Sequence, residues 1–118
     1  RTSLHPMSSA FPHQTPVDHT PKDADNVVVR RNDSTDVFEV LSSDTAQAIV
    51  ATLRNEPHTT SEIAESIGTS IQNVQYHLER LEGADLVETA GTWYSARGKP
   101  MTVFALASER IVVTFEEA

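Results

Sequence analysis

Apolar positions recur along this chain in two rhythms, and the change from one to the other divides it. In "SDTAQAIVATLRNEP", Ala46, Ile49, Val50 and Leu53 fall at spacings of three and four, which predicts an amphipathic helix. Ser42 or Ser43 can cap its start, and it must stop before Pro57. Ahead of it, "STDVFEVLSS" predicts a short helical turn that offers Val37, Phe38 and Leu41 to a core. "TTSEIAESIG" follows, with Thr60 or Ser61 as cap, Ile63, Ala64 and Ile67 inward, and Gly68 as the C-terminal turn. Ser70 then caps a further helix to about Ala84, whose apolar stripe is Ile71, Val74, Leu78 and Leu81. Two short helices joined by a tight Gly-containing turn make a helix-turn-helix pattern.

Beyond Asp85 the rhythm shortens to alternation. "DLVETAG", "TWYS", "PMTVFALA" and "RIVVTF" predict strands, and "ARGK" a Gly-containing hairpin tip between two of them. Near the other end "NVVVRR", residues 26–31, is a β-branched run that predicts one more strand. Helices followed by a hairpin give an α+β chain of winged helix-turn-helix type, with three to four helices and a β-hairpin wing. The expected domain covers residues 26–118. Residues 1–25 hold four prolines and no periodicity, and are expected to be a disordered tail. Met7 is a candidate start within it. His5, His13 and His19 are irregularly spaced and without a partnering carboxylate or thiol cluster, so a solvated tail is favoured over a metal site.

Composition changes this picture in two ways. Cysteine is absent, which removes disulfides, thiolate metal sites and cysteine nucleophiles. No apolar run approaches the roughly 18 residues that span a membrane, and no signal peptide is recognisable, so a cytoplasmic location is expected. The 17 acids against 9 Lys plus Arg give a formal net charge of −8. Only Lys22 and Lys99 are lysines. Such a surface resembles halophile proteins, although an ordinary acidic protein has the same signature. The distinction matters because the Debye length falls to about 3 Å at 1 M salt, where acidity ceases to forbid contact with phosphates.

Against that acidity, the helix opened by Ser70 carries no acid before Glu79. Opposite its stripe lie Gln72 and Tyr76, with Asn73 and Arg80 beside them and Gln75 on the flank. Amides pair bidentately with adenine, and arginine reaches guanine or phosphate. The first turns of a second helix are those that meet base edges in helix-turn-helix proteins, which makes Gln72, Asn73 and Tyr76 the candidate readers. Ser70 and Arg80 are candidates for phosphate contact. The alternative is a merely solvated face, and Glu79 marks the expected edge of any footprint. Gln75 fits either role, and His77, beside Leu78, fits a half-buried packing position better than a ligand or pH sensor. At the hairpin tip, "SARGKP" concentrates Arg97 and Lys99 around Gly98, as a wing touching sugar-phosphate requires; a charged, soluble turn would look the same. Trp93 and Tyr94 are expected to anchor the wing on the helices. No arrangement of nucleophile, base and acid emerges, no phosphate-cradling Gly-rich loop is present, and neither enzymatic activity nor a cofactor is expected.

Residues 36–106 resemble the ArsR-type winged helix-turn-helix transcription regulators, in particular the acidic haloarchaeal kind. The carriers are "VFEVLSSDTAQAIVATL", "TTSEIAESIGTSIQNVQYHLERLEGADLVE" and "TWYSARGKPMTVFAL", with "HLERLEGADLV" the most telling. Asp85 stands where glycine is usual, Gln47 where arginine is common, and the cysteine metal-sensing motif is missing. The resemblance implies a sequence-specific regulator that binds double-stranded DNA as a homodimer, with no thiolate sensing and an unidentified effector. Residues 26–31 and 110–115 are then expected to pair or to contribute to the dimer interface. The rival readings are a winged-helix protein–protein interaction module and the N-terminal domain of a larger, membrane-tethered regulator.

Overall fold

A computed structural model describes residues 17–29 and 36–115. In chain order the elements are β1 (Asp25–Val29), α1 (Asp36–Leu41), α2 (Asp44–Leu53), β2 (His58–Thr59), α3 (Thr60–Ile67), α4 (Ile71–Gly83), β3 (Val87–Tyr94), β4 (Pro100–Leu106) and β5 (Ile111–Phe115). This is the α+β winged arrangement that the two rhythms predict. The spacing of three and four becomes a core: Ala46, Ile49 and Leu53 of α2 meet Ile63 of α3 and Val74, Leu78 and Leu81 of α4. Leu86 and Val87, at the entry to β3, close it from below.

Helix boundaries follow local chemistry. Ser43 is the N-cap of α2, its hydroxyl accepting from the Ala46 amide at 3.2 Å. The cap of α3 is Thr59, one residue earlier than the expected Thr60 or Ser61. Its hydroxyl accepts from the Glu62 amide at 3.3 Å while the Glu62 carboxylate accepts from the Thr59 amide at 3.1 Å. The reciprocal pair satisfies two otherwise orphaned donors, which is why Thr59 wins. Gly68 ends α3 in the left-handed region at φ 77°, as its place in the sequence predicts. After α4 the same conformation falls on Asp85 at φ 62°, and the Leu86 amide returns to the Leu81 carbonyl at 2.9 Å.

Two expected core contacts are absent. Ile71 is 46 % exposed and Phe38 is 49 % exposed. Ile71 sits at the first turn of α4, where the stripe runs off the end of the core and into the cleft beside β4.

β3 and β4 pair antiparallel as the wing, and the two-residue β2 extends that sheet on the far side of β4. A register shift between Thr89 and Gly91 bends β3. β1 and β5 form a separate parallel ribbon, Val27 opposite Val113, so the two runs expected to pair do so over Asp25–Val29 and Ile111–Phe115, while residues 30 and 31 lie outside the described residues. The segment before β1 is tied down from Val17 onward, within the stretch expected to be a free tail. The Lys22 amide donates to Ala107 and the Glu109 amide to Lys22. Nε2 of His19 lies 2.6 Å from the Glu88 carboxylate, and Val17 packs 3.5 Å from where a Cβ on Gly91 would stand. The tail histidines His5 and His13 lie outside the described residues.

Candidate nucleic-acid interface

α4 is set against α3 by a three-residue turn. Gly68 and Thr69 both donate their amides to the Ala64 carbonyl, at 2.9 and 3.1 Å, so the chain reverses tightly into Ser70. The Ser70 hydroxyl accepts from the Asn73 amide at 3.0 Å and caps α4. Asn73 is half-buried, and its side-chain nitrogen donates to the Thr69 hydroxyl at 3.0 Å. One amide donor of Asn73 is therefore already committed within the turn, whereas Gln72 is exposed next to it.

Burial of Val74, Leu78 and Leu81 fixes the rotation of α4 and turns its polar residues outward. Tyr76 is 56 % exposed. The Arg80 guanidinium carbon lies over the Tyr76 ring, 5.7 Å from the centroid, and the His77 ring packs against it nearly perpendicular, with centroids 5.0 Å apart. His77 is half-buried, the packing position expected for it, and its Nδ1 is buried without a hydrogen-bond partner. Burial, and secondarily the charge of Arg80, hold the His77 pKa below its ordinary 6.5, so the neutral ring is favoured.

The wing tip is built around Ser95. Its hydroxyl accepts from the amides of Arg97 and Lys99, its amide donates to the Lys99 carbonyl at 2.8 Å, and the Gly98 amide returns to the Ser95 carbonyl at 2.8 Å. Gly98 takes φ 80°, which a side chain would oppose. Arg97 and Lys99 are both exposed. Trp93 is half-buried, but Tyr94, expected to help anchor the wing, is 51 % exposed, because alternation along β3 turns its ring away from the helices.

Between α4 and the wing runs a cleft of about 660 Å³. Gln75, Glu79 and Glu82 line it from the helix, and Lys99 and Met101 from β4 and the tip. α4 thus has two outward sides: one uncharged except for Arg80, bearing Gln72, Asn73 and Tyr76, and one that brings carboxylates toward the wing. Of the sequence-predicted residues, Ser70, Gln72, Asn73 and Tyr76 lie at the cap and in the first half of α4, and Arg80 lies in its last turn, beside Tyr76. Gln75 faces the cleft, together with Lys99, while Arg97 and Gly98 complete the tip. Sequence reasoning missed the cleft itself, although the apolar alternation of Met101 and Val103 was a signal that one face of β4 looks toward the helix.

Among the described residues no helix is long and apolar enough to cross a membrane, and no group of three or more histidine, aspartate or glutamate side chains gathers as a metal site would need. Residues 41–90 match a family model described as a helix-turn-helix domain. A comparison with curated protein sequences gave no significant match. Among solved structures, the chain resembles the homodimeric winged helix-turn-helix DNA-binding domain, fragment 1–100, of a possible ArsR-family transcriptional regulator from Mycobacterium bovis. Identity there is 19 %, the TM-score 0.53, and the match covers 63 % of each chain, so less than two thirds of that relative is spanned. An ArsR-family transcriptional regulator aligns at 23 % identity and TM-score 0.51, over 63 % of this chain and 75 % of the other. NolR from Sinorhizobium fredii aligns at 19 % identity and TM-score 0.52, over 63 % and 68 %. The chain has the winged helix-turn-helix fold that ArsR-family regulators share, with its helix-turn-helix unit within residues 41–90.

Proposed function

We propose that the chain is a sequence-specific DNA-binding transcription regulator that works as a homodimer on a two-fold related site, without catalytic activity. One observation carries this reading. In a chain of net charge −8, the exposed side of the first two turns of α4 bears amides and a phenol and no acid before Glu79, and Arg80 follows one turn beyond Tyr76. Gln72, Asn73 and Tyr76 would read base edges, Ser70 and Arg80 would hold phosphates, and Arg97, Gly98 and Lys99 would press the wing on the backbone of a duplex. Gln75, facing the cleft, would reach the duplex only between helix and wing. The acidic remainder of the surface suits a cytoplasm of high salt, where screening leaves short-range contacts to decide.

A protein-binding role is the second reading, favoured by the exposure of Ile71 at the mouth of the cleft. Selection of bound duplexes from a random pool, at low and at molar KCl, separates the two. A defined, two-fold related sequence enriched at molar KCl is the expected outcome. Failure to enrich any sequence at either salt would exclude the regulator.

A further inference from the structure

The ribbon of β1 and β5 leaves its outer strand unfinished. Parallel strands are ordinarily covered on both faces within larger sheets, and a two-stranded ribbon by itself is marginal. Here, among the described residues, that sheet stops at two strands. All of β5 is open: Ile111 is 37 %, Val112 40 %, Val113 36 % and Phe115 77 % exposed, and Thr114 is exposed as well. Successive side chains point to opposite faces, so both faces of this strand present apolar groups to water. Ile111 also borders a cleft of about 180 Å³ with Leu41, Val50, Leu86 and Leu106, which continues the apolar surface onto the helical core.

Charge indicates what covers it. The chain carries −8 overall, yet Ile111–Phe115 contains no charged residue, and Arg110 just before it is paired with Asp23 of its own chain at 3.4 Å. A basic partner would gain nothing from an uncharged strand. Two acidic chains, by contrast, approach most closely where neither bears charge.

We infer that β5 pairs antiparallel with β5 of a second copy about a two-fold axis at Val113, giving a four-stranded sheet in the order β1-β5-β5-β1. Ile111 of each copy then stands opposite Phe115 of the other. This rests on the homodimer reading above and names the surface that makes the dimer, and the test separates the two.

The natural chain has no cysteine, so a single introduced thiol reports cleanly. Directly opposed antiparallel residues have Cα atoms about 4.5–5.5 Å apart, within disulfide reach. The wild-type chain is expected to scatter light as twice its 13.0 kDa mass in molar KCl. Val113→Lys, which puts a charge on the pairing edge, is expected to scatter as a monomer with an unchanged far-ultraviolet circular dichroism spectrum and a lower melting temperature, since it loses the stabilisation that association gives the folded chain. Val113→Cys is expected to oxidise to a covalent dimer at least tenfold faster than Ala51→Cys on the exposed side of α2. A monomeric wild type would overturn the homodimer and this interface together. A wild-type dimer in which Val113→Cys cross-links no faster than Ala51→Cys would overturn the interface alone, and that measurement decides even if Val113→Lys fails to fold.

Discussion

The guanidinium of Arg80 lies over the ring of Tyr76, 5.7 Å from its centroid, one helical turn along the exposed side of α4. An exposed cation–π contact of this kind contributes about 0.5–1 kcal/mol and holds the arginine in one orientation. Tyr76→Phe keeps the ring beside Arg80 and should cost only the contact of the hydroxyl with a base edge of a selected duplex, whereas Tyr76→Ala also releases Arg80 and should lower affinity severalfold further. Fluorescence anisotropy on matched and scrambled duplexes measures both; equal losses would mean that the ring does not position Arg80.

Gln72 is free, while Asn73 already donates to Thr69. Gln72→Ala is therefore expected to relax sequence preference more than Asn73→Ala, with about 1–3 kcal/mol of discrimination lost at one base pair. Affinities for single-base variants of the selected site give the answer.

Lys99 and Arg97 stand at the tip of the wing and would touch backbone. Lys99→Ala should weaken all duplexes alike and reduce the slope of log K against log salt by about one. A change confined to particular sequences would assign Lys99 to base reading instead.

Thr59 is 2 % exposed and shares two hydrogen bonds with Glu62 at the start of α3. Thr59→Ala should destabilise the fold by about 1 kcal/mol, and Thr59→Ser much less. Urea titration followed by circular dichroism distinguishes them. Asp85 offers the opposite case: at φ 62° it holds a conformation that glycine adopts freely. Asp85→Gly should be neutral to slightly stabilising, and Asp85→Val destabilising by about 1–2 kcal/mol.

His77 resists protonation because burial, with Arg80 nearby, lowers its pKa below 6.5. In the unfolded chain the imidazole takes up its proton near 6.5, so as pH falls through that value the unfolded state binds more protons. The contribution of His77 to stability is therefore intact above pH 6.5 and declines below it. His77→Phe, which also removes the unpartnered Nδ1, should melt increasingly above wild type between pH 7.5 and 5.5. A constant difference across that range would show that the ring does not titrate differently on folding.

The sequence by itself determined the helices and how they face. Val74, Leu78 and Leu81 are buried because a period of 3.6 leaves only one side of α4 able to leave water. Gly68, Ser70 and Asp85 end or begin helices through chemistry carried within a few residues. The cap at Thr59 was less legible: three hydroxyl residues stand in a row, the expectation fell on Thr60 or Ser61, and only the reciprocal bonds with Glu62 select Thr59. The polar side of α4 was legible too, since burying one stripe exposes the other. Tertiary structure alone decided the rest. Ile71 and Phe38 have the same local pattern as core residues, yet each is left about half exposed, and only the placement of the other elements determines that. The parallel register of Val27 with Val113, the contact of His19 with Glu88, and the cleft that brings Gln75 near Lys99 join residues far apart in the chain. No local periodicity encodes such pairings, because what fixes them is the space left when the core has packed.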